Sequence, residues 1–316
     1  IGSSALTTLN AGADAYNIAI GFNAGYAVTT GTLNTLVGGL AGDALTEGNH
    51  NTVLGYGALS NETLGDRNVA VGSNALYAQN NTSNVDAYNV AVGYNAGAAV
   101  TTGVRNTVIG GLAGDALTTG NYNTAIGYTA LGAENAHGKN VAIGYAALAV
   151  QDAGADAYNV AIGFEAGLSV TTGTQNTIVG AQAGDALTTG HFNVAVGYLA
   201  LSAEDDHGRN VAVGKGALQL LNAGADGYNT AVGNLAGTAM TTGTHNTILG
   251  GLAGDALTTG GANVAIGYKT LSDETTGANN IAIGYEAMSS SQLSQLNIAI
   301  GQQALQNVTN STLKNT

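Results

Sequence analysis

Polar and apolar positions follow one short pattern that recurs along the whole chain. The pattern is Asn, then Thr, Val or Ile, then a small or aliphatic residue, then Val, Ile or Leu, and finally Gly. It occurs seventeen times between residues 17–21 and residues 297–301, and thirteen of the sixteen intervals between its asparagines are 17 residues long. Because a unit this short cannot bury its own apolar side, successive units must stack on one another.

The three residues between Asn and Gly predict a β-strand. The first and third of them are branched or aliphatic and point to the same side of a strand. We expect these two side chains, with an Ala that follows seven positions after nearly every Asn, to form a thin core. The Gly is expected to break the strand at a corner or to let two backbones pass closely.

The asparagines and glycines of the pattern predict structural ladders along the stack. Stacked side-chain amides hydrogen-bond from one layer to the next, which favours a structural role over ligand binding. The predicted ladder residues are Asn17, Asn34, Asn51, Asn68, Asn89, Asn106, Asn123 and Asn140, with Gly21, Gly38, Gly55 and Gly127.

A helical interpretation fits the chain less well. The sequence contains 49 Gly residues, which recur in every unit, and each Gly costs a helix about 1 kcal/mol relative to Ala. The apolar residues also lack a sustained helical stripe. The sequence therefore predicts an all-β fold, a parallel β-solenoid or β-roll of 17-residue coils that runs as a single continuous domain over residues 1–316.

A longer period groups the coils in fours. The Asp residue three positions before the first Asn of a group recurs at Asp14, Asp86, Asp156 and Asp226. The four-coil super-repeats span 72, 70, 70 and 68 residues, and their extra residues fall after the fourth coil. Insertions confined to one place are expected to be surface loops.

Both chain ends fall within a coil. Ile1 and Gly2 match the end of a coil, and Asn315 and Thr316 match the start of the next one. We expect the chain to be an excerpt of a longer repetitive protein.

Composition limits the classes of partner. Seven basic and twenty acidic residues give a net charge of −13, which argues against binding nucleic acid phosphates. No apolar run approaches the roughly 20 residues that a membrane-spanning helix needs. We therefore expect no nucleic acid partner and no membrane insertion of this segment.

The sequence contains no recognisable catalytic or metal-binding constellation. His137 and His207 occupy equivalent loops one super-repeat apart, too far to share a metal ion within one chain. The acidic residues beside them, Glu134 in one loop and Glu204, Asp205 and Asp206 in the other, are expected to be solvated and dispensable. The prediction is a protein without enzymatic activity, cofactor or metal.

Aromatic residues often follow the Gly of the pattern. They could contact sugars or neighbouring chains, or they could shield a corner of the coil from water. The candidates for surface contact are Tyr56, Tyr94, Tyr128, Tyr145, Tyr198, Tyr268 and Tyr285.

Rows of Thr-Thr-Gly allow an ice-binding interpretation. They are interrupted in each group of coils, for example at Glu62-Thr63 and Glu134-Asn135. Turn formation by Thr before Gly accounts for the motif without a ligand.

The repeat Asn-[Thr/Val]-Ala-[Ile/Val]-Gly-[Tyr/Phe]-x-Ala, as in residues 123–130 and 193–200, resembles the head repeats of YadA-like trimeric autotransporter adhesins. It is equally similar to repeats of bacteriophage tail fibres. The resemblance implies a left-handed parallel β-roll of three chains, exposed on a cell or virion surface and used for attachment to a receptor or glycan.

The expected function is therefore a non-enzymatic, extracellular shaft or head of a surface adhesin or tail fibre. Two alternatives remain: a self-polymerising extracellular filament, whose neighbours would stack end to end, and an ice- or ligand-binding solenoid.

Overall fold

The computed structural model describes residues 1–12, 14–292 and 295–308. The predicted positions of Asn315 and Thr316 lie outside these residues. The chain divides into two compact units, Ile1–Tyr158 and Asn159–Thr316. Each unit is an all-β parallel solenoid, and no helix occurs among the described residues. The predicted fold class is thereby confirmed as a parallel β-solenoid.

Every predicted coil contributes one three-residue strand. The first unit contains β1 (Ile18–Ile20), β2 (Thr35–Val37), β3 (Thr52–Leu54), β4 (Val69–Val71), β5 (Val90–Val92), β6 (Thr107–Ile109), β7 (Thr124–Ile126) and β8 (Val141–Ile143). The second contains β9 (Val160–Ile162), β10 (Thr177–Val179), β11 (Val194–Val196), β12 (Val211–Val213), β13 (Thr230–Val232), β14 (Thr247–Leu249), β15 (Val264–Ile266), β16 (Ile281–Ile283) and β17 (Ile298–Ile300).

Within each unit, each strand pairs in parallel with the next strand of the sequence. The register places equivalent residues side by side, so that Val108 of β6 pairs with Ala125 of β7 and Ala195 of β11 pairs with Ala212 of β12. Parallel pairing of consecutive strands requires a crossover of a dozen or more residues. The fourteen residues of a 17-residue coil that follow its strand meet that requirement.

The core uses the opposite face of the strand from the one predicted. In β4, Ala70 is fully buried, whereas Val69 and Val71 are only half-buried. The same alternation holds in all seventeen strands, so the first and third residues face outward and the central residue faces inward. The prediction that the first and third residues form the core was wrong. The coil is so thin that its interior accepts one side chain per strand.

Small and aliphatic side chains from the rest of the coil complete the interior. The Ala seven positions after Asn is fully buried in most coils, as at Ala113 and Ala183. A Leu or Val eleven positions after Asn, such as Val100, Leu117 and Leu187, is also fully buried. Each layer therefore places the same side chains above those of the previous layer, and a substitution in one coil is felt by the coils on both sides.

Candidate functional surface

The predicted Asn ladder forms through both the amide side chains and the backbone. The Nδ2 of Asn106 donates to the carbonyl oxygen of Gly120 (2.8 Å), and its backbone N–H donates to Oδ1 of Asn89 (2.9 Å). Its own Oδ1 accepts the backbone N–H of Asn123 (2.9 Å). Each side chain thus joins successive coils. Asn17 is half-buried, and the other predicted ladder members are buried, namely Asn34, Asn51, Asn68, Asn89, Asn106, Asn123 and Asn140.

The Gly of the pattern occupies a corner where two backbones meet. Its φ lies between +126° and +144° in all seventeen copies, a conformation that L side chains rarely adopt. A Cβ atom on any of four predicted ladder glycines would lie only 2.5–2.6 Å from the carbonyl carbon of the equivalent Gly in the next coil. These are Gly21, Gly38, Gly55 and Gly127. Both predicted reasons for Gly, the strand break and the close approach, apply at the same position.

The outward side of the strands forms a regular apolar surface in each unit. We call the first and last residues of every strand the outer sheet face. In β6, β7 and β8 the last residues are Ile109, Ile126 and Ile143, which lie side by side and are half-buried. Ladders of this kind leave a flat sheet face whose apolar side chains are only partly covered by the chain itself.

A column of tyrosines lies along one side of the outer sheet face. The seven Tyr residues predicted for surface contact are 44–61 % exposed, so each of them is partly accessible and partly covered by the chain. The rings of Tyr128 and Tyr145 stack with centroids 5.7 Å apart, and Tyr268 stacks on Tyr285 at the same distance. These tyrosines are Tyr56, Tyr94, Tyr128 and Tyr145 in the first unit and Tyr198, Tyr268 and Tyr285 in the second. Contact with a partner and shielding of the corner both stay predictions.

A second column lies on the other side of the strands, and it was not predicted. The residue directly before each Asn alternates between cation and aromatic ring in much of the first unit. Arg105 lies 5.5 Å from the ring centroid of Tyr122, and its Nη1 donates to the Tyr122 hydroxyl (3.1 Å). Lys139 lies 5.0 Å from the ring centroid of Tyr158. The alternation is visible in the sequence once residues are aligned on the Asn.

The first Thr of Thr-Thr-Gly is used within the stack. The hydroxyl of Thr118 donates to the carbonyl oxygen of Asn135 (2.9 Å), and that of Thr188 donates to the carbonyl oxygen of Asp205 (3.2 Å). Such hydroxyls are committed to the neighbouring coil, and the rows of Thr are interrupted as the sequence indicated. The arrangement supports a turn-forming role for this Thr.

Two loops predicted to be solvated contain buried carboxylates. Glu134 and Glu204 are 0 % exposed, at the register position that Leu117 and Leu187 occupy in the preceding coils. Burial raises the pKa of both carboxyls, and the backbone N–H of the following His partly offsets this effect. The prediction of a solvated loop was therefore wrong for both glutamates, although Asp206 is exposed.

Glu62 in the first unit shows why a glutamate can be buried at this register position. It occupies the same position in its coil and is also 0 % exposed. Its Oε1 accepts the backbone N–H groups of Thr63, Leu64 and Gly65 at 2.8–3.0 Å. An inward-facing carboxylate can thus occupy this core position because it accepts the amide groups of its own turn.

A further set of acids has pKa values raised by burial. These are the Asp residues of the recurring Ala-Gly-Asp-Ala-Leu segments, and three of them have a buried carboxyl oxygen without a hydrogen-bond partner among the described residues. Glu165 also raises the pKa of Asp185, and Asp273 that of Asp255, which Lys269 partly offsets. The set comprises Asp43, Asp115, Asp185 and Asp255.

These acids predict a pH dependence of stability. Because the folded chain releases these protons at higher pH than the unfolded chain, the contribution of the four acids to the free energy of unfolding is greatest below the unfolded pKa of 3.8 and falls as pH rises through the folded pKa. Replacing all four with Asn is expected to raise the melting temperature at neutral pH by a few degrees and to reduce this slope. Thermal unfolding of both chains between acidic and neutral pH measures the slope. A slope that is unchanged in the variant would contradict the assignment of this pH dependence to the four acids.

Comparison of the sequence with protein-family models and with curated proteins finds no match. Within the described ranges, no helix has the length and hydropathy of a membrane span.

Proposed function

We propose that this chain is a non-enzymatic structural segment of an extracellular fibre, the shaft or head of a surface adhesin or of a bacteriophage tail fibre. The proposal rests on one observation above all, the outer sheet face with its flanking aromatic columns. The outer sheet face is repeated in every coil, and an aromatic residue follows the Gly in nine of the seventeen, whereas an enzyme concentrates its chemistry in one place. The resemblance of the repeat to adhesin heads and tail fibres supports the location on a cell or virion surface.

The outer sheet face also supports assembly with identical chains. Isoleucines such as Ile109 and Ile126 remain partly exposed in ladders, and a continuous apolar stripe is typical of an association site. Parallel identical rods bury such stripes best around a rotational axis. We propose a homotrimer with threefold symmetry and four-coil super-repeats along its length; the number three comes from the resemblance. The exposed tyrosines are then available for neighbouring chains, a receptor or a glycan.

Charge on the outer sheet face is expected to dissociate the trimer. In the variant Ile109→Lys/Ile126→Lys, two ammonium groups per chain would be placed on an interface of identical copies, where like charges repel and are costly to bury. Both side chains point outward, so each coil keeps its core. Sedimentation equilibrium and native mass spectrometry are expected to give a trimer for the natural chain and a folded monomer for the variant.

The matched control introduces two Lys residues at other positions of the same two coils. Thr119→Lys/Ala136→Lys changes exposed turn positions and is expected to remain trimeric. A natural chain that is monomeric at micromolar concentration would overturn the trimer. Concentration-dependent growth into long polymers would instead favour the alternative of a self-polymerising filament.

A further inference from the structure

Two clusters of potential metal ligands lie outside the outer sheet face. Each combines a buried Glu, a His three residues later and a second carboxylate, and within each cluster the potential ligand atoms lie within 4.8 Å of one another. The first cluster contains Glu204, Asp205 and His207, and the second contains Glu134, His137 and Asp152.

The first cluster has two buried polar atoms without a hydrogen-bond partner in the described part of the chain. They are Oε2 of Glu204, whose side chain is 0 % exposed, and Nδ1 of His207. The His207 Nδ1 lies 3.7 Å from Oε1 of the same carboxylate, too far for a hydrogen bond. Two ligands of one tetrahedral Zn²⁺ ion, each about 2 Å from the metal, stand roughly 3.3 Å apart. The two groups therefore have a separation close to that of ligands of one ion.

A matching glutamate without the His shows the contrast. Glu62 has Gly65 three residues later, and its Oε2 accepts the side-chain N–H groups of Gln79 (2.9 Å) and Asn81 (2.8 Å). In the Glu204 cluster the residue equivalent to Gln79 is Leu221, which has no side-chain donor. The buried carboxylate of Glu204 thus lacks the side-chain donor that Glu62 has in Gln79, and a His faces it instead.

We propose that Glu204, His207 and Asp205 bind a divalent transition-metal ion, with Zn²⁺ as the best-fitting ion. Imidazole nitrogen with carboxylate oxygen suits Zn²⁺, whereas Ca²⁺ and Mg²⁺ prefer shells of oxygen alone. The positive charge compensates the buried carboxylate. This site is independent of the proposed fibre function, because it involves no residue of the outer sheet face.

The second cluster forms a related site that joins two coils. The Glu134 Oε1 lies 3.7 Å from Nδ1 of His137, a buried atom that also has no hydrogen-bond partner among the residues described. Asp152 belongs to the following coil. Gln151 still donates to Oε2 of Glu134 (3.4 Å), so one oxygen of this carboxylate is already occupied. A metal ion here would bridge the turns of successive layers.

Isothermal titration of the chelator-treated chain with Zn²⁺ tests the proposal. Two ions per chain are expected to bind and to raise the melting temperature, whereas Ca²⁺ and Mg²⁺ do neither. Binding to His137→Gln/His207→Gln is expected to be at least about tenfold weaker. The control His191→Gln/His245→Gln removes two exposed histidines and is expected to bind as the natural chain does. Absent Zn²⁺ binding at millimolar concentration, or equal binding by both variants, would overturn the site.

A second measurement uses the natural chain and does not depend on the variants folding. Zn²⁺ is expected to protect His137 and His207 from carbethoxylation, detected by peptide mass spectrometry, and to leave His245 reactive. His245 provides the internal control because it is exposed and belongs to neither cluster. Equal protection of all three histidines, or protection of none, would contradict the proposed ligands.

Discussion

Gly127→Val is expected to destabilise the chain by about 4 kcal/mol or more, beyond the range of most single substitutions. Gly127 has a φ of +134°, which a branched residue adopts only with strain. A Cβ atom would also lie 2.6 Å from the carbonyl carbon of Gly144. That atom belongs to the backbone of the neighbouring coil, so relief requires the two layers to separate. Urea unfolding measures the loss, and a sharp fall in the yield of soluble protein is a compatible result.

A neighbouring pair of glycines tests whether the destabilisation comes from the crowded corner or from the loss of any glycine. Gly110 has the same corner geometry, with a Cβ position 2.7 Å from the carbonyl carbon of Gly127. At Gly111 the nearest atom to a Cβ would be a Tyr128 ring carbon at an ordinary 3.6 Å. Gly110→Ala is expected to destabilise strongly, and Gly111→Ala to stay within about 0.5 kcal/mol of the natural chain. Equal stability of the two variants would contradict the corner assignment.

The repeat made the fold predictable because each coil meets nearly identical coils above and below. A residue needed for stacking is needed in every layer, so an Asn and a Gly recur in every coil. In the coil of β6 they are Asn106, directly before the strand, and Gly110, directly after it. Strand position, parallel pairing and the ladders follow directly from that spacing.

The inward face of the strand did not follow from the pattern. Alternation along a strand distinguishes two faces but does not state which one is inside. Branched residues such as Val69 and Val71 suited a core, and Ala70 suited any surface. The deciding factor was the width of the coil, which only the packing of Ala and Leu from the other segments reveals. The apolar surface that remains is the outer sheet face.

The buried glutamates were missed because they were assessed by the charge of their own loop. The segment at Glu204 is acidic and polar, which is typical of a solvated turn. Aligning it with the preceding coil places Glu204 at the position of Leu187, which is a core position. Register against neighbouring coils was therefore the more informative signal. The cation and aromatic column, which includes Arg105 and Tyr122, needed the same alignment.

The second large effect is expected from Asn106→Ala, a loss of about 2–4 kcal/mol of unfolding free energy. The substitution removes the acceptor of the Asn123 N–H (2.9 Å) and the donor to the Gly120 carbonyl (2.8 Å). Both groups lie in buried residues, and leaving a buried polar group unpaired costs about 1–3 kcal/mol. The volume lost is small, so the cost is that of unpaired backbone rather than of a cavity.

Hydrogen exchange tests whether unpaired backbone groups cause the destabilisation, and it does so more directly than a measurement of unfolding free energy. In Asn106→Ala the amide of Asn123 is expected to exchange faster than in the natural chain, while amides of coils several layers away keep their relative protection. Asn222→Ala is the matched control, because Asn222 is exposed, and it is expected to change the stability by no more than about 0.5 kcal/mol. Equal stability of the two variants would mean that the Asn ladder is not what joins the coils, and the recurrence of Asn in every layer would then require another cause.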